Sequence, residues 1–391
     1  YVTAHLGSDD QTADQDLINA SPLWDPTHRL RGIAYLYVKM EFEVDSFPQG
    51  EPSVTAIVKG KKVYNPNTGV TEWTDNASYI LRDYLVSDYG VAVVDDEIDD
   101  ISFTSAANIC DEPVSLAAGG TEARYTINGS FVTSTTPETV IDKMTKSMAG
   151  SFWYAQGKFR VKAGAYVTPT VTFDEDDLRT NVQIQTRRSR RENYNIVAGE
   201  FRGDETGWIK TDYPEVRSQE FIDVDNGQES RTDLDLPFTT TSSRAQRIAK
   251  ILLYRNRQQL VISATFGLRA LQVQVGDVVM ITNSRAGWAQ KPFEVLSWSL
   301  SPVSEDPASI KLELTEISSD VYLWQADERA FELDNTNLAD AFFVPSVGLS
   351  AASIGKVINE HVIAVLRITV SSGEPERTDY VEVQFKKSAE P

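Results

Sequence analysis

The stretch Ser243-Arg244-Ala245-Gln246-Arg247-Ile248-Ala249-Lys250-Ile251-Leu252-Leu253-Tyr254-Arg255, followed by Leu260-Val261-Ile262-Ser263-Ala264-Thr265-Phe266, decides the fold class. Ile248, Ile251, Leu252 and Arg255 recur at three and four, the spacing of one helix face. Ser242 or Ser243 can cap that helix, predicted over about 243–258. The pattern then changes. Residues 260–267 and 278–282 read as strands, the turn Gly276-Asp277 precedes the second, and another strand begins at Phe293-Glu294-Val295-Leu296 after the turn at Ala286-Gly287. Lys311-Leu312-Glu313-Leu314-Thr315 alternates, so one face of that strand is wet. One long helix among many short strands predicts a mainly β region.

Upstream, residues 1–70 read as strands between Pro, Gly and Asp turns. Ile33-Ala34-Tyr35-Leu36-Tyr37-Val38 is a continuous apolar run, as expected of a buried strand, and Val54-Thr55-Ala56-Ile57-Val58 is a second. Helical spacing takes over at 75–90, with Asp75 or Asn76 as cap, Ile80, Leu81, Tyr84 and Leu85 on one face, and Gly90 as the stop. A short helix is predicted at 103–110. Another opens at Thr136-Pro137-Glu138, carries Val140, Ile141, Met144 and Met148, and ends at Gly150. Phe152-Trp153-Tyr154, Lys158-Phe159-Arg160-Val161 and Val171-Thr172-Phe173 are strand-like. The expected division is a first β-rich region at 1–70, an α/β insertion at 71–175, a second β-rich region at 176–345, and a separate module at 346–391. In that module Val362–Ile368 and Val381–Phe385 read as strands. The stretch 345–352 reads as a linker.

The chain has 391 residues, enough for two to four domains at roughly 100–200 residues each. Its formal net charge is −20, which opposes non-specific binding to phosphate backbones and anionic membranes. The cluster Arg187-Arg188-Ser189-Arg190-Arg191 has no interleaved aromatic residues and reads as a solvated or ion-pairing strip. A single cysteine, Cys110, makes no internal disulfide. No stretch approaches the ~20 apolar residues of a membrane span. The start, Tyr1-Val2-Thr3-Ala4-His5, has no signal-like region and no initiator Met, so the chain reads as a fragment of a longer one.

The search for chemistry returns little. The histidines are His5, His28 and His361, and no Gly-x-Ser-x-Gly elbow, His-Glu-x-x-His or phosphate-binding glycine loop occurs. Ser353-Ile354-Gly355-Lys356 matches Ser-x-x-Lys without the companions that pattern needs. Asp95-Asp96-Glu97 with Asp99-Asp100, and Asp174-Glu175-Asp176-Asp177, lack calcium-loop spacing and read as solvated acidic loops. In Asp223-Val224-Asp225-Asn226-Gly227 the glycine comes one position early for a calcium loop, and Arg202-Gly203-Asp204 reads as coincidence. The expectation is no catalytic residue, no cofactor and no metal.

The order of several motifs carries a resemblance. It runs from Gly7 and Gln11-Thr12-Ala13-Asp14 through His28-Arg29-Leu30-Arg31-Gly32-Ile33-Ala34-Tyr35 and Pro52 to Val58-Lys59-Gly60-Lys61-Lys62-Val63-Tyr64-Asn65-Pro66. It continues through Trp73-Thr74-Asp75-Asn76, Tyr84-Leu85 and Tyr89-Gly90 to Trp153 and Gly157-Lys158-Phe159-Arg160-Val161. Leu236-Pro237-Phe238-Thr239, Arg244 to Lys250, Gly276-Asp277-Val278-Val279, Gly287-Trp288 and Lys291-Pro292-Phe293 complete it. In this order, over roughly residues 5–315, the chain resembles the tail-tip attachment (J-like) hub proteins of long-tailed phages, which are related to baseplate hubs of contractile tails and to gene transfer agents.

The resemblance implies two tail-tube-like β-barrel or sandwich domains at 1–70 and 176–345, a small α/β domain between them, and a C-terminal fibronectin type III-like sandwich, cut short at Pro391. It implies a homotrimeric virion protein at the distal end of the tail, made in the bacterial host cytoplasm. Such a hub caps the tail tube, rings the DNA exit channel and anchors fibre domains. The implied partners are the tail tube or distal tail protein ring, the tape measure protein, other tail-tip proteins and fibres, a host receptor reached through later C-terminal domains, and DNA only in passage. From these readings, acidic residues are expected to line the channel, and three chains with two similar tube units each are expected to match a six-membered tube ring. Two other readings compete. One is a carbohydrate-active enzyme with Trp73 and Trp153 on a sugar-binding face; the other is a pure host-receptor-binding module.

Overall fold

The computed structural model describes residues 1–40 and 54–325, apart from 118, 170, 188, 190, 191, 204, 205 and 302–307, together with the backbone of 348–349, 353–356, 364–367 and 370–371. It divides into two compact units, Tyr1–Gly60 and Lys61–Pro391.

In the first unit, β1 (Val2–His5) pairs antiparallel with β2 (Tyr35–Val38), and α1 (Gln15–Ala20) lies between them in the chain. Asp14 caps α1 by accepting from the Leu17 amide. The fully buried residues among those described are polar: Gln11 and Asp14. The apolar run at 33–38 is therefore not the buried strand its composition predicts. Ile33 is 55% exposed and Leu36 is 40% exposed, because a two-stranded ribbon has no second layer within the unit to cover it. The run at 54–58 forms no strand, and Val54, Ile57 and Val58 are exposed.

The second unit begins with the ribbon β3 (Val63–Asn65) and β4 (Val70–Glu72). The helix α2 (Ala77–Val86) starts at Asn76, whose Oδ1 accepts from the Ser78 and Tyr79 amides. It stops four residues before Gly90. That glycine instead packs so closely that a Cβ there would lie 1.9 Å from the Tyr84 carbonyl oxygen. The helix α3 (Asp100–Cys110) is longer than predicted at its start, and α4 (Pro137–Lys146) ends before Gly150. Between them lie β5 (Pro113–Ser115) and β6 (Thr121–Ala123), paired antiparallel; after α4 come β7 (Ser151–Ala155) and β8 (Lys158–Lys162), also antiparallel. The apolar faces of these elements share one core, with Leu81, Leu85, Phe103, Cys110, Tyr125, Met144 and Met148 almost fully enclosed.

A six-stranded sheet follows, in the order β10 (Gln183–Gln185), β14 (Val261–Phe266), β17 (Ser309–Glu316), β16 (Trp288–Ser301), β15 (Val278–Asn283) and β9 (Val171–Phe173). Period-two alternation puts Ile262, Ala264 and Phe266 of β14 and Ile310, Leu312 and Leu314 of β17 in a second core, while Lys311 and Glu313 face solvent as predicted. The sheet is rolled. Phe173 on the β9 edge meets Phe266, one strand from the opposite edge, at 4.9 Å between ring centroids. The chain passes from β9 through a short 3-10 turn at Glu175–Asp177, and Leu178 bridges to Phe266 before β10 pairs with β14. Residues 171–185 thus run from one edge of the sheet to the other.

The remaining elements extend the first core. A three-stranded sheet has the order β12 (Lys210–Arg217), β11 (Ile196–Arg202) and β13 (Arg231–Asp233), with α5 (Gln219–Val224) between β12 and β13 in the chain. The long helix α6 (Ser242–Arg257) packs on β11 and β12. In the C-terminal stretch the backbone of Ser353–Lys356 pairs antiparallel with that of Ala364–Arg367, and Gly348–Leu349 with Val370–Ser371. The side chains of that module, including Val362, Val365 and Ile368, lie outside the described residues, as does the predicted linker apart from the backbone of 348–349.

Candidate functional site

The chemistry concentrates around α6. Its N-cap is Thr241, not Ser242 or Ser243, and no side-chain oxygen caps it. Instead the Thr241 hydroxyl donates to Glu122 at 3.0 Å and the Ser243 hydroxyl at 2.7 Å. A buried carboxylate competes for these hydroxyls, since charge-assisted bonds are stronger than neutral ones. The same carboxylate takes Arg247 Nη2 at 2.5 Å and Arg244 Nη2 at 3.4 Å. Arg244 Nε donates to the Ala123 carbonyl at 3.2 Å. Burial lowers the pKa of both guanidinium groups, and the Glu122 charge works against that shift.

The other end of α6 is fixed twice. Arg255 is bonded to Glu294 of β16, a residue 4% exposed, and Lys162 of β8 reaches the same carboxylate at 2.6 Å. Lys162 Nζ also donates to the Gly276 carbonyl at 2.7 Å. Arg257 grips Asp225 through both terminal nitrogens, at 3.1 and 2.5 Å, and Asn195 Nδ2 donates to that carboxylate at 2.9 Å. Three carboxylates therefore tie one helix to the β5–β6 ribbon, to the rolled sheet and to the loop after α5.

Two glycines mark where the packed layers close. Gly276 has φ +90, a left-handed conformation, and a Cβ there would lie 2.9 Å from Cη2 of Trp153. The turn Gly276-Asp277 and Trp153, read separately in the sequence, are one contact. Gly129 (φ +150) meets Phe238 in the same way, and the Asn128 amide donates to the Phe238 carbonyl at 2.9 Å.

The acidic runs are engaged locally. Arg82 Nε donates to Asp100 at 2.6 Å and its Nη2 to Asp95 at 3.2 Å; Arg160 lies 3.1 Å from Asp99. Asp177 takes Arg269 at 2.9 Å, Glu175 takes the Ser284 hydroxyl at 2.6 Å, and Asp174 caps the turn that follows it. Neighbouring cations and amides use most of these carboxylates, while Asp95, Asp96, Asp100, Asp174, Glu175 and Asp176 stay exposed. Asp225 serves Arg257 and Asn195, and no group of three or more His, Cys, Asp or Glu suited to a metal occurs among the described residues. His5 Nε2 lies 2.5 Å from Asp14 and stacks on Tyr35, while His28 lies 3.2 Å from Asp25. His361, Arg188, Arg190, Arg191, Asp204 and the side chains of Ser353 and Lys356 lie outside the described residues. Sequence reasoning put Arg255 on the apolar stripe but gave no role to Arg244 and Arg247. Their i, i+3 spacing beside Ile248 was the available signal; their common partner, Glu122, gave none.

Comparison with known proteins places this architecture. The family model described as "Putative phage tail protein" matches residues 136–295, from α4 into β16. Baseplate hub protein pb3 of Escherichia phage T5 is 23% identical over 393 residues, a match that covers 90% of this chain and 41% of the relative. Tip attachment protein J of Escherichia phage SECphi4 is 23% identical over 350 residues, covering 83% and 30%. This chain thus spans well under half the length of either relative. A chain in the virion structure of a native gene transfer agent particle shares the fold, with a TM-score of 0.51 at 15% identity over 85% of this chain and 73% of that one. In sequence the chain is similar to phage tail proteins of the baseplate hub and tip attachment kind, and in fold to a chain of a gene transfer agent particle.

Proposed function

We propose that this chain is a structural hub of a phage tail tip or baseplate, and not an enzyme. The observation that carries the reading is the similarity to a baseplate hub protein over 90% of the chain. In this role three copies form a ring around the DNA exit channel at the distal end of the virion's tail. The ring caps the tail tube, meets the tube or distal tail ring and the tape measure protein, and carries fibre domains C-terminally towards a host receptor. Acidic side chains line the passage, so a duplex slides past without adhering. A strongly positive channel surface would contradict that detail.

The four-part division at 70, 175 and 345 belongs to the same proposal. The rolled sheet supports a tube-like unit in the second β-rich region, with β9 reaching back to 171. The matching unit at 1–70 and the fibronectin type III-like module at 346–391 rest on the resemblance. The carbohydrate-active reading is weakened by the acidic runs, in which Asp95, Asp99, Asp100 and Asp177 are engaged by Arg82, Arg160 and Arg269. Trp153, one of its two aromatic residues, packs on Gly276. Image reconstruction of the intact particle tests the hub reading. Three copies at the distal tail end are expected; a chain found only in peripheral fibres, or in one copy, would refute it.

A further inference from the structure

Two arginines of the first unit stand outside any such frame. Arg29 and Arg31 are exposed on either side of Leu30, in the loop before β2. Arg29 Nε donates to the Pro26 carbonyl at 3.3 Å, and neither guanidinium sits in an ion pair among the described residues.

The loop that carries them is braced from behind. Buried Gln11 accepts from the Gly7 amide at 2.7 Å and donates to the carbonyls of Arg29 and Leu30, both at 2.8 Å. The Gly32 amide donates to the Gly7 carbonyl at 3.0 Å. Within this brace Leu30 takes φ 46, a left-handed conformation that is strained for a non-glycine residue. Strain of this kind persists only where the surroundings impose it. Its effect here is to present Arg29, Arg31, Thr27 and Leu30 around an open cleft of about 320 Å³.

We propose that this cleft is a preformed dock for carboxylates of a second copy of the chain. The occupant follows from charge. The chain has 57 acidic and 37 basic residues, so copies repel unless a contact supplies cations that are not already neutralised. Arg29 supplies one, and Arg31, whose charge also acts on the Asp10 carboxylate, supplies part of another; a guanidinium fork fits a carboxylate through two parallel bonds. The fixed backbone reduces the ordering that docking would otherwise require. Duplex DNA is the poorer fit, since two arginines on an acidic protein offer neither a basic stripe nor stacking aromatics. The proposal rests on the hub reading in one respect, that copies meet in the assembly.

The test is sedimentation velocity of the purified chain at about 0.05 M and about 0.5 M salt, beside R29E/R31E, R29K/R31K and R29Q/R31Q, with far-UV circular dichroism to check the fold. Wild type is expected to associate at low salt and to weaken at high salt. R29E/R31E is expected to associate about ten-fold more weakly or not at all, and R29K/R31K in between, because lysine keeps the charge and loses the fork. Should R29E/R31E misfold, R29Q/R31Q gives the reading. Wild-type behaviour in a folded R29E/R31E or R29Q/R31Q overturns the proposal, as does a wild type that stays monomeric. Binding of a short DNA duplex by wild type, lost in R29E/R31E, overturns it in favour of a nucleic-acid contact. A particle whose distal hub contains this chain, while association ignores the arginines, sinks this proposal alone. Association through the arginines by a chain missing from the tail end sinks the hub reading alone.

Discussion

Arg247 Nη2 and Glu122 meet at 2.5 Å across 125 positions of sequence, with the arginine side chain 1% exposed and the glutamate 9%. Breaking a buried ion pair by removing one partner costs about 3–5 kcal/mol, because the other charge stays buried without compensation. Glu122→Ala strands both Arg244 and Arg247, and it is expected to lose that much in urea unfolding. Glu122→Leu with Arg244→Met and Arg247→Met should recover part of it. A single-mutant loss below about 1 kcal/mol would mean that the frame does not stabilise the fold.

Gly276→Ala combines a left-handed backbone with a Cβ directed at the Trp153 ring. The expected cost is about 1–3 kcal/mol, read as a lower Tm together with altered tryptophan fluorescence. Gly157→Ala, also at positive φ but with open space around it, should show only the backbone part of that cost.

Asn76 both caps α2 and donates Nδ2 to the Ala107 carbonyl at 3.0 Å, so it joins α2 to α3. Asn76→Ala should destabilise by about 1–3 kcal/mol, more than a simple cap, because a buried carbonyl loses its donor. Asn76→Asp keeps the capping oxygen and loses the donor. If Asn76→Asp proved as stable as the wild type, the α3 bond would contribute nothing.

Burial pushes the Cys110 thiol up to about 12, against an ordinary value near 9. Alkylation at about pH 8 should therefore be slow in the folded chain and fast in urea. The same shift fixes a sign. Above about pH 9 the unfolded chain releases this proton while the folded chain keeps it, so the contribution to stability falls as pH rises towards 12, by about 1.4 kcal/mol per unit. Burial also raises Tyr322 to about 12, and Tyr125 and Tyr213 shift the same way. A folded chain whose stability rises between pH 9 and 12 would contradict all four placements.

The sequence was legible where one rule acts alone. The helix predicted at 243–258 is α6 to within a residue, and the alternation at 311–315 assigns its faces correctly, because period reports a local face directly. It misled where the outcome depends on a second layer. The run at 33–38 has the composition of a buried strand, but burial needs a cover that the first unit does not supply. Gly90 and Gly150 look like helix stops and are instead points of close backbone approach. The frame around α6 was least legible, because Glu122, Asp225 and Glu294 acquire meaning only when folding brings them to the arginines. Order across the whole chain carried the family resemblance better than any single motif did.

The frame has a mechanical corollary. Eight charged groups clamp a helix about 24 Å long at both ends, so α6 works as a spar between two layers. A pull on the rolled sheet enters through Glu294, travels along the spar and leaves through Glu122. Sliding one layer over the other requires opposite charges to part within a dry interior, and that resistance rises steeply over the first few ångströms. At the sheet end the connection narrows to Glu294, where a single carboxylate holds both Lys162 and Arg255.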